Sequence, residues 1–346
     1  MWPCERQRFL GGEPVKCRRT LRAISHLAAN SMDFLKPQPF SFVKTPRSLT
    51  IQLARAATHY LRSISDDALS LPTVTLPTDF PLTLLATTGR MWPKKRGLNM
   101  RDLPEAAKKI RIRQIAICTE DIWPVESTIA RDLEVASVHR DKPGAPIWMF
   151  NSVIAVGHTF LEILQPERPS APTQKFLDKQ GGAGGYMLLL QVDDIDAARN
   201  RAEAAGVRVV MDMPKRSYHG TTGAAIHLHP GDTGGVLTSF DWMEEWDSWA
   251  WGGQAWPWHQ RTDVVSGIVG AEITSANPQK VANRFAEFIG RDLDDDGLLQ
   301  LDEGYLSFIQ GAEDARDRLT AIYMRASDRA RAGETFEFAR TTIRLV

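Results

Sequence analysis

Three stretches of this chain repeat one plan. "IRQIAICTEDIWPVESTIARDLEV" (112–135), "GYMLLLQVDDIDAARNRAEAAGV" (185–207) and "GIVGAEITSANPQKVANRFAEFIG" (267–290) each run from an apolar strand into a capped amphipathic helix. In the first, Asp121 is the cap, Pro124 sits in the first turn, and Ile129 and Leu133 share the inward face. In the second, Asp193 or Asp194 caps, Ile195, Ala198, Ala202 and Ala205 form the stripe, and Gly206 ends the helix in left-handed geometry. In the third, Asn277 caps, Pro278 follows, Val281, Phe285 and Phe288 face inward, and Gly290 closes. β-branched and aromatic runs follow each helix, for example "APIWMFNSVIAVGHTFLEILQP" and "GVRVVMDM". A fourth strand, "LTAIYMRA", has only "SDRARAGE" in its helix slot, and "FEFARTTIRLV" ends the sequence. The spacing is roughly 75 residues, longer than solenoid repeats. One helix on several strands leaves a sheet face uncovered, so each unit needs a partner unit.

The expected fold is therefore α+β, built of tandem βαβββ modules paired into curved sheets. The expected organisation is a basic tail over 1–105, a two-module domain over 106–245, a Trp-rich linker over 246–262 and a degenerate second pair over 263–346. The tail stands out by charge. Residues 1–100 hold 15 Lys/Arg against 6 Asp/Glu, a net +9, and the remainder balances it at −9. Its Pro-rich stretches "KPQPF" and "LSLPTVTLPTDFPLTLL" do not suit helices or central strands. Three readings stay open there: a disordered tail, an Arg-rich organelle-targeting segment, and an independent domain. The "KKR" cluster (Lys94, Lys95, Arg96) reads as a solvated stretch rather than a nucleic-acid patch. Three cysteines, Cys4, Cys17 and Cys118, give no disulfide framework and no CxxC knuckle. A cytoplasmic location is the default expectation and an organelle the alternative. No apolar run reaches the ~18 residues of a spanning helix.

The tandem pattern resembles the vicinal oxygen chelate superfamily, which includes glyoxalase I, methylmalonyl-CoA epimerase, extradiol dioxygenases and bleomycin-resistance proteins. "TFLEILQPERPSAPTQKFLDKQGGAGGYMLLLQVDDIDAA" is similar to the epimerase-type connection between modules, and "HLHPGDTGGVL" to the turn into the last strand. The resemblance covers residue 111 to about 243 well, residues 264–346 weakly and residues 1–99 not at all. It implies a cup whose floor holds a divalent metal, with two ligands per module, one on the first strand and one on the last. The metal would polarise adjacent substrate oxygens as a Lewis acid. In the first module the matching positions are Gln114 and Glu162, both oxygen donors. In the second they are Met187 and Ser239, a soft thioether and a neutral hydroxyl that hold hard cations poorly. In the third they are Gly270 and about Ser307. The resemblance thus implies half a metal site, and no cofactor is the other expectation. Glu162 also has a plain structural reading, as a partner for Arg111 or Arg113.

Other groups compete for notice. His227 and His229 alternate in "AIHLHP", with His227 the one that could point into the cup. His139, His158 and His219 read as loop or strand-end residues. "DLDDDGLLQLDE" matches a calcium loop with Asp292, Asp294, Asp296, Gly297 and Glu303 at positions 1, 3, 5, 6 and 12, but "YLSFIQ" after it reads as a strand rather than an exiting helix. "EEWDSWAWGGQAWPWHQ" carries Trp246, Trp249, Trp251, Trp256 and Trp258, either as a buried strap or, at Trp249 and Trp251, as an aromatic wall for a ligand. There is no P-loop, GxGxxG or GxSxG elbow.

Two functions follow as expectations. One is a small-molecule lyase or isomerase acting next to a carbonyl, with Glu162 as base, or Gln114 and Glu162 as holders of a metal or water. The other is a metal-free protein that binds a small ligand in the cup. The partner in either case is a small molecule, with nucleic acid and membrane excluded and a homodimer left open.

Overall fold

The computed structural model describes residues 102–346 apart from 143 and 145–147. The basic segment, its KKR cluster, Cys4 and Cys17 lie outside the described residues. No helix among the described residues is long and apolar enough to cross a membrane.

The first module runs β1 (Ile110–Cys118), α1 (Ile122–Leu133), β2 (Ser137–His139), β3 (Met149–Val156) and β4 (Thr159–Pro166). A link with α2 (Pro172–Gln180) leads to the second: β5 (Gly184–Val192), α3 (Ile195–Ala204), β6 (Val209–Tyr218), β7 (Thr221–Leu228) and β8 (Leu237–Met243). The Trp-rich segment holds only a 3₁₀ turn and one short helix, α4 (Trp256–His259). The third module is β9 (Val265–Ser275), α5 (Pro278–Ile289), β10 (Leu299–Gln300) and β11 (Tyr305–Gln310). The fourth is β12 (Arg318–Ala326), a single 3₁₀ turn at Arg329–Arg331 where a helix would stand, β13 (Thr335–Phe338) and β14 (Thr341–Leu345). Each module of the second pair is thus one strand short, and the fourth also lacks its helix.

The helix signals act as their chemistry requires. Asp121 accepts from the Trp123 N–H, Asp194 from those of Asp196 and Ala197, and Asn277 from that of Lys280. At the other end of α5, Gly290 takes φ +82°, and a Cβ there would meet Ala106 at 2.4 Å. Arg201 of α3 donates to the Glu287 carbonyl of α5, and Arg284 of α5 donates to the Ala205 carbonyl after α3. The two helix ends satisfy each other's last carbonyls.

In every module the first and last strands lie side by side and parallel: β1 with β4, β5 with β8, β9 with β11, β12 with β14. Within each pair the two first strands join antiparallel, β1 to β5 and β9 to β12. The first pair is therefore one eight-stranded sheet in the order β2-β3-β4-β1-β5-β8-β7-β6. That sheet curls until its ends meet: the His139 ring at the end of β2 lies 4.6 Å from the ring of His219, in the β6–β7 turn. The pairs touch where Leu319 of β12 fills the space above Gly185 of β5, 2.6 Å from where a Cβ would stand.

Two faces of the curled sheet have different contents. Ile110, Ile112, Ile115 and Ile117 of β1 join the helices and the second pair in one continuous core. The other face, inside the curl, holds Ala116, Cys118, Val153, Phe160, Leu164, Met187, Leu189 and Met243, together with Trp249 and Trp256 of the strap. The strand "IRIRQIAIC" changes phase at Arg113-Gln114. The register with β5 breaks between Ile112 and Gln114, and this bulge lets isoleucines keep the core face on both sides of it.

Candidate functional site

The inner face of the curl is a cup, and its polar groups come from the strands that cross its floor. Gln114 of β1 and Glu162 of β4 stand on neighbouring strands, since Ala116 is the direct partner of Glu162. Gln114 Nε2 donates to Glu162 Oε2 at 2.8 Å, and Asn151 Nδ2 of β3 donates to Glu162 Oε1 at 2.9 Å. The orientation of both amides is forced. The Trp249 indole N–H can only donate, and it does so to Gln114 Oε1 at 2.7 Å. The Asp141 backbone N–H can only donate, and it does so to Asn151 Oδ1 at 2.7 Å. Both NH₂ groups are therefore turned onto Glu162.

Glu162 sits under opposing influences. Burial favours the neutral acid and dominates. The Asn151 donor opposes it, the nearby Asp141 charge adds to it, and the Gln114 donor opposes it. The balance raises the carboxyl from 4.5 to about 7. Neither Arg111 nor Arg113 pairs with it. Arg111 spans the modules instead, binding Gln191, Glu303, Asp247 and the Trp246 carbonyl.

A second buried acid, Asp241 of β8, lies on the same face two residues beyond Ser239. Burial raises it from 3.8 to about 7, although the Trp251 indole donates to its Oδ1 at 2.8 Å. The neighbouring Ser239 hydroxyl and the Trp251 indole both favour its charged form, and burial outweighs them. Arg113 is fully buried, with its guanidinium 5.5–5.7 Å from the ring centres of Phe160, Trp249 and Trp256. Its Nη2 donates to the Asp247 carbonyl, while Nε and Nη1 have no protein partner. Burial lowers its pKa from 12.5 to about 9.

The remaining expected residues fall as follows. Met187 pairs with Ala116 and Ser239 with Leu189 and His227, so all are strung across the cup floor. His227 is pushed down to about 4 by burial, so at neutral pH it is an uncharged imidazole. Trp249 fills the cup, 1% exposed and stacked 6.1 Å from Phe160. Trp251 packs edge-on against Tyr218. The strap thus pins one indole N–H beside each acid, and Trp258, 79% exposed, takes no part.

The four floor positions suit a divalent cation poorly. The Gln114 oxygen is taken by Trp249, both Glu162 oxygens already accept amide hydrogens, and Met187 and Ser239 add no anionic donor. The acidic loop does not gather as a calcium site either. Asp294 turns onto its own loop, accepting from the N–H groups of Asp296 and Leu298 and from Gln300, while Glu303 pairs with Arg111 at 2.8 Å. A strand, β11, follows where an EF-hand has a helix.

Sequence reasoning passed over Asn151 and Asp241, and named Arg113 only as a partner for Glu162, which it is not. Asn151 and Asp241 stand at in-facing positions that alternate with apolar neighbours in "MFNSVIAV" and "LTSFDWM", and that alternation was the available signal. In the second pair it also passed over Glu272, which is held by Tyr323 Oη at 2.7 Å, while the Tyr305 ring covers Gly270.

Comparison with known proteins agrees with this architecture. A family model described as a glyoxalase-like domain matches residues 138–289. The mitochondrial methylmalonyl-CoA epimerase of Mus musculus is 29% identical over 131 residues, 38% of this chain and 72% of the relative. The ethylmalonyl-CoA/methylmalonyl-CoA epimerase of Cereibacter sphaeroides is 29% identical over 133 residues, 38% of this chain and 96% of the relative. A hypothetical protein from Staphylococcus aureus of known structure superposes with a TM-score of 0.55 at 13% identity, covering 68% of this chain and 99% of that one. With its tandem modules and cup, this chain matches a glyoxalase-like domain over residues 138–289 and is similar in sequence to methylmalonyl-CoA epimerases, which belong to the vicinal oxygen chelate superfamily.

Proposed function

We propose that the chain is an isomerase or lyase that moves a proton at a carbon next to a carbonyl, with Glu162 as the base. The observation that carries this reading is a buried carboxyl raised to about 7 whose two oxygens are aimed by fixed amide donors. A base with a pKa near the working pH has both the right protonation state and a useful driving force for proton transfer. The epimerase names of the relatives point the same way.

The chemistry assigned to the chain's own groups is short. The Glu162 carboxylate takes the α-proton and the C–H electron pair moves toward the carbonyl oxygen. Arg113, whose Nε and Nη1 have no protein partner, offers them to an anionic oxygen of the substrate. Asp241, also raised to about 7, is the second proton donor available for return to carbon. Trp249 occupies the space a substrate needs, so the strap must lift first. A divalent metal on the floor has no part here, because its donors are already engaged.

The test is α-proton exchange in D₂O, followed by ¹H NMR with methylmalonyl-CoA and a set of small 2-substituted carbonyl compounds. Exchange at neutral pH that slows by about 10²-fold or more in Glu162→Gln supports the reading. Equal exchange in wild type and variant refutes it. A second reading is favoured by the filled cup: a binder in which a flat apolar ligand displaces Trp249. Saturable tryptophan quenching without any exchange would support that one.

A further inference from the structure

Outside the catalytic groups, one cluster joins parts of the sequence that nothing local brings together. His139 Nε2 lies 3.1 Å from Asp141 Oδ1, and His219 Nε2 lies 3.5 Å from the same oxygen. The three ligand atoms all fall within 4.8 Å of one another, and no other His/Cys/Asp/Glu trio among the described residues does so. We infer that His139, Asp141 and His219 form a divalent transition-metal site that clasps the mouth of the cup.

The donor set is two imidazoles and one carboxylate, which suits Zn²⁺, Co²⁺ or Ni²⁺ and not a hard Ca²⁺ or Mg²⁺. A tetrahedral ion with bonds of about 2.0–2.1 Å places its ligands roughly 3.3 Å apart, and the two short separations bracket that value. The surroundings are those of a metal ligand held in place. Asn151 donates to Asp141 Oδ2 at 2.8 Å and accepts from its backbone N–H, leaving Oδ1 for the histidines. Arg140, which lies between the two ligands in sequence, is engaged by both oxygens of Glu126. His219 has φ +49° in a two-residue turn with Gly220, a left-handed conformation uncommon outside glycine but one that histidine adopts more readily than most, and its ring lies 4.6 Å from that of His139.

The topology gives the site its role. β2 and the β6–β7 hairpin are the two extremes of the eight-stranded sheet, so an ion here bridges its free ends. The strap runs directly beneath: Gly253 lies against the His139 ring, where a Cβ would be 2.4 Å from Nδ1, and Gln254 lies against Gly220. A clasped mouth therefore holds the strap down over Trp249. Asn151 joins the site to the cup floor, since it donates to both Asp141 and Glu162, but the ligands are distinct from the floor groups and metal binding is read without turnover, so the test does not depend on which reaction the cup performs.

The experiment is Co²⁺ titration of chelator-stripped full-length protein, read by visible absorbance, with Zn²⁺ competition. The expected result is one equivalent of Co²⁺ with the absorbance of a four- or five-coordinate ion. Affinity falls at least ~10-fold in His139→Ala and in His219→Asn, the latter chosen because asparagine tolerates left-handed backbone. Asp294→Asn binds as wild type does, and Glu162→Gln keeps the ion with a smaller loss of affinity than either histidine change. Zn²⁺ also slows amide hydrogen exchange across residues 249–254 in wild type and not in His219→Asn. The inference is overturned if no stoichiometric ion binds, if binding survives the histidine changes, or if it follows Glu162 to the floor. It is equally overturned if bound Zn²⁺ leaves exchange in the strap unchanged.

Discussion

Glu162 ties stability to pH in a way that one substitution isolates. A carboxyl whose folded pKa exceeds its unfolded value holds its proton more tightly in the native state. Native stability therefore falls as pH rises through the interval from 4.5 to about 7 and levels off above it. Each pKa unit is worth about 1.4 kcal/mol, so the interval corresponds to about 3 kcal/mol. At about 2–4 °C per kcal/mol for a body of this size, that is roughly 6–12 °C in Tm. Asp241 adds a fall of the same sign between 3.8 and about 7, so wild type alone does not separate the two. Glu162→Gln does. The variant has no proton to lose at this position, yet its NH₂ group must face a donor fixed by either Trp249 or Asp141, a mismatch of about 1–3 kcal/mol at any pH. Thermal melts of both proteins from pH 5 to pH 8 should show the variant losing less stability on the way up, with the gap between the two changing by about 2.5 kcal/mol. Asp241→Asn provides the matched control for the other acid. Melting curves of wild type and Glu162→Gln that run parallel across the range would refute the account of how burial and amide donors balance at Glu162.

Two further changes probe the strap and the module contact. Trp249→Phe keeps a ring over Phe160 but leaves the buried Gln114 oxygen without its donor, for an expected loss of about 1–3 kcal/mol, whereas Trp258→Phe, at an exposed site, should stay within about 0.5 kcal/mol in the same melts. Gly157 turns the β3–β4 hairpin at φ +58°, and a Cβ there would stand 2.1 Å from the Ser266 carbonyl oxygen. Gly157→Ala should cost more than about 2 kcal/mol, against about 1 kcal/mol for Gly297→Ala, where φ is +76° but the space is open. Equal costs would mean that the hairpin does not seat on the second pair.

Much of the architecture was legible because its signals are local. Each helix is announced by a cap and a stripe, and those of α1, α3 and α5 act as written. The phase change at Arg113-Gln114 marks a bulge that the alternation alone could have revealed. The site was less legible for a physical reason. Whether Gln114 offers its oxygen or its NH₂ to Glu162 depends on an indole 135 residues away, and no sequence pattern encodes that pairing. The same holds for His139 and His219. Each reads as a strand-end residue, and only the curl of an eight-stranded sheet brings the rings together. Asp241 escaped notice because counting from the "GGVL" turn singled out Ser239, one step earlier on the same face.

The replacement of two ligand positions by Met187 and Ser239 bears on what Glu162 can do. A carboxylate beside a bound divalent cation is held ionised, with its pKa well below the ordinary range, and such a group takes protons poorly at neutral pH. Here Glu162 instead faces two neutral amides, which stabilise its charge enough to keep it from being a permanently protonated acid but not enough to offset burial. The result is a carboxyl poised near neutrality. A scaffold position that the superfamily resemblance assigns to metal binding would, by this change of neighbours alone, become a base. The strap fits the same logic. It donates Trp249 to Gln114 and Trp251 to Asp241, so lifting it would release one buried hydrogen bond at each acid in a single motion. Opening the cup and freeing its acids would then be one event, which is the coupling a proton-transfer site needs to stay inert until a substrate displaces the indoles.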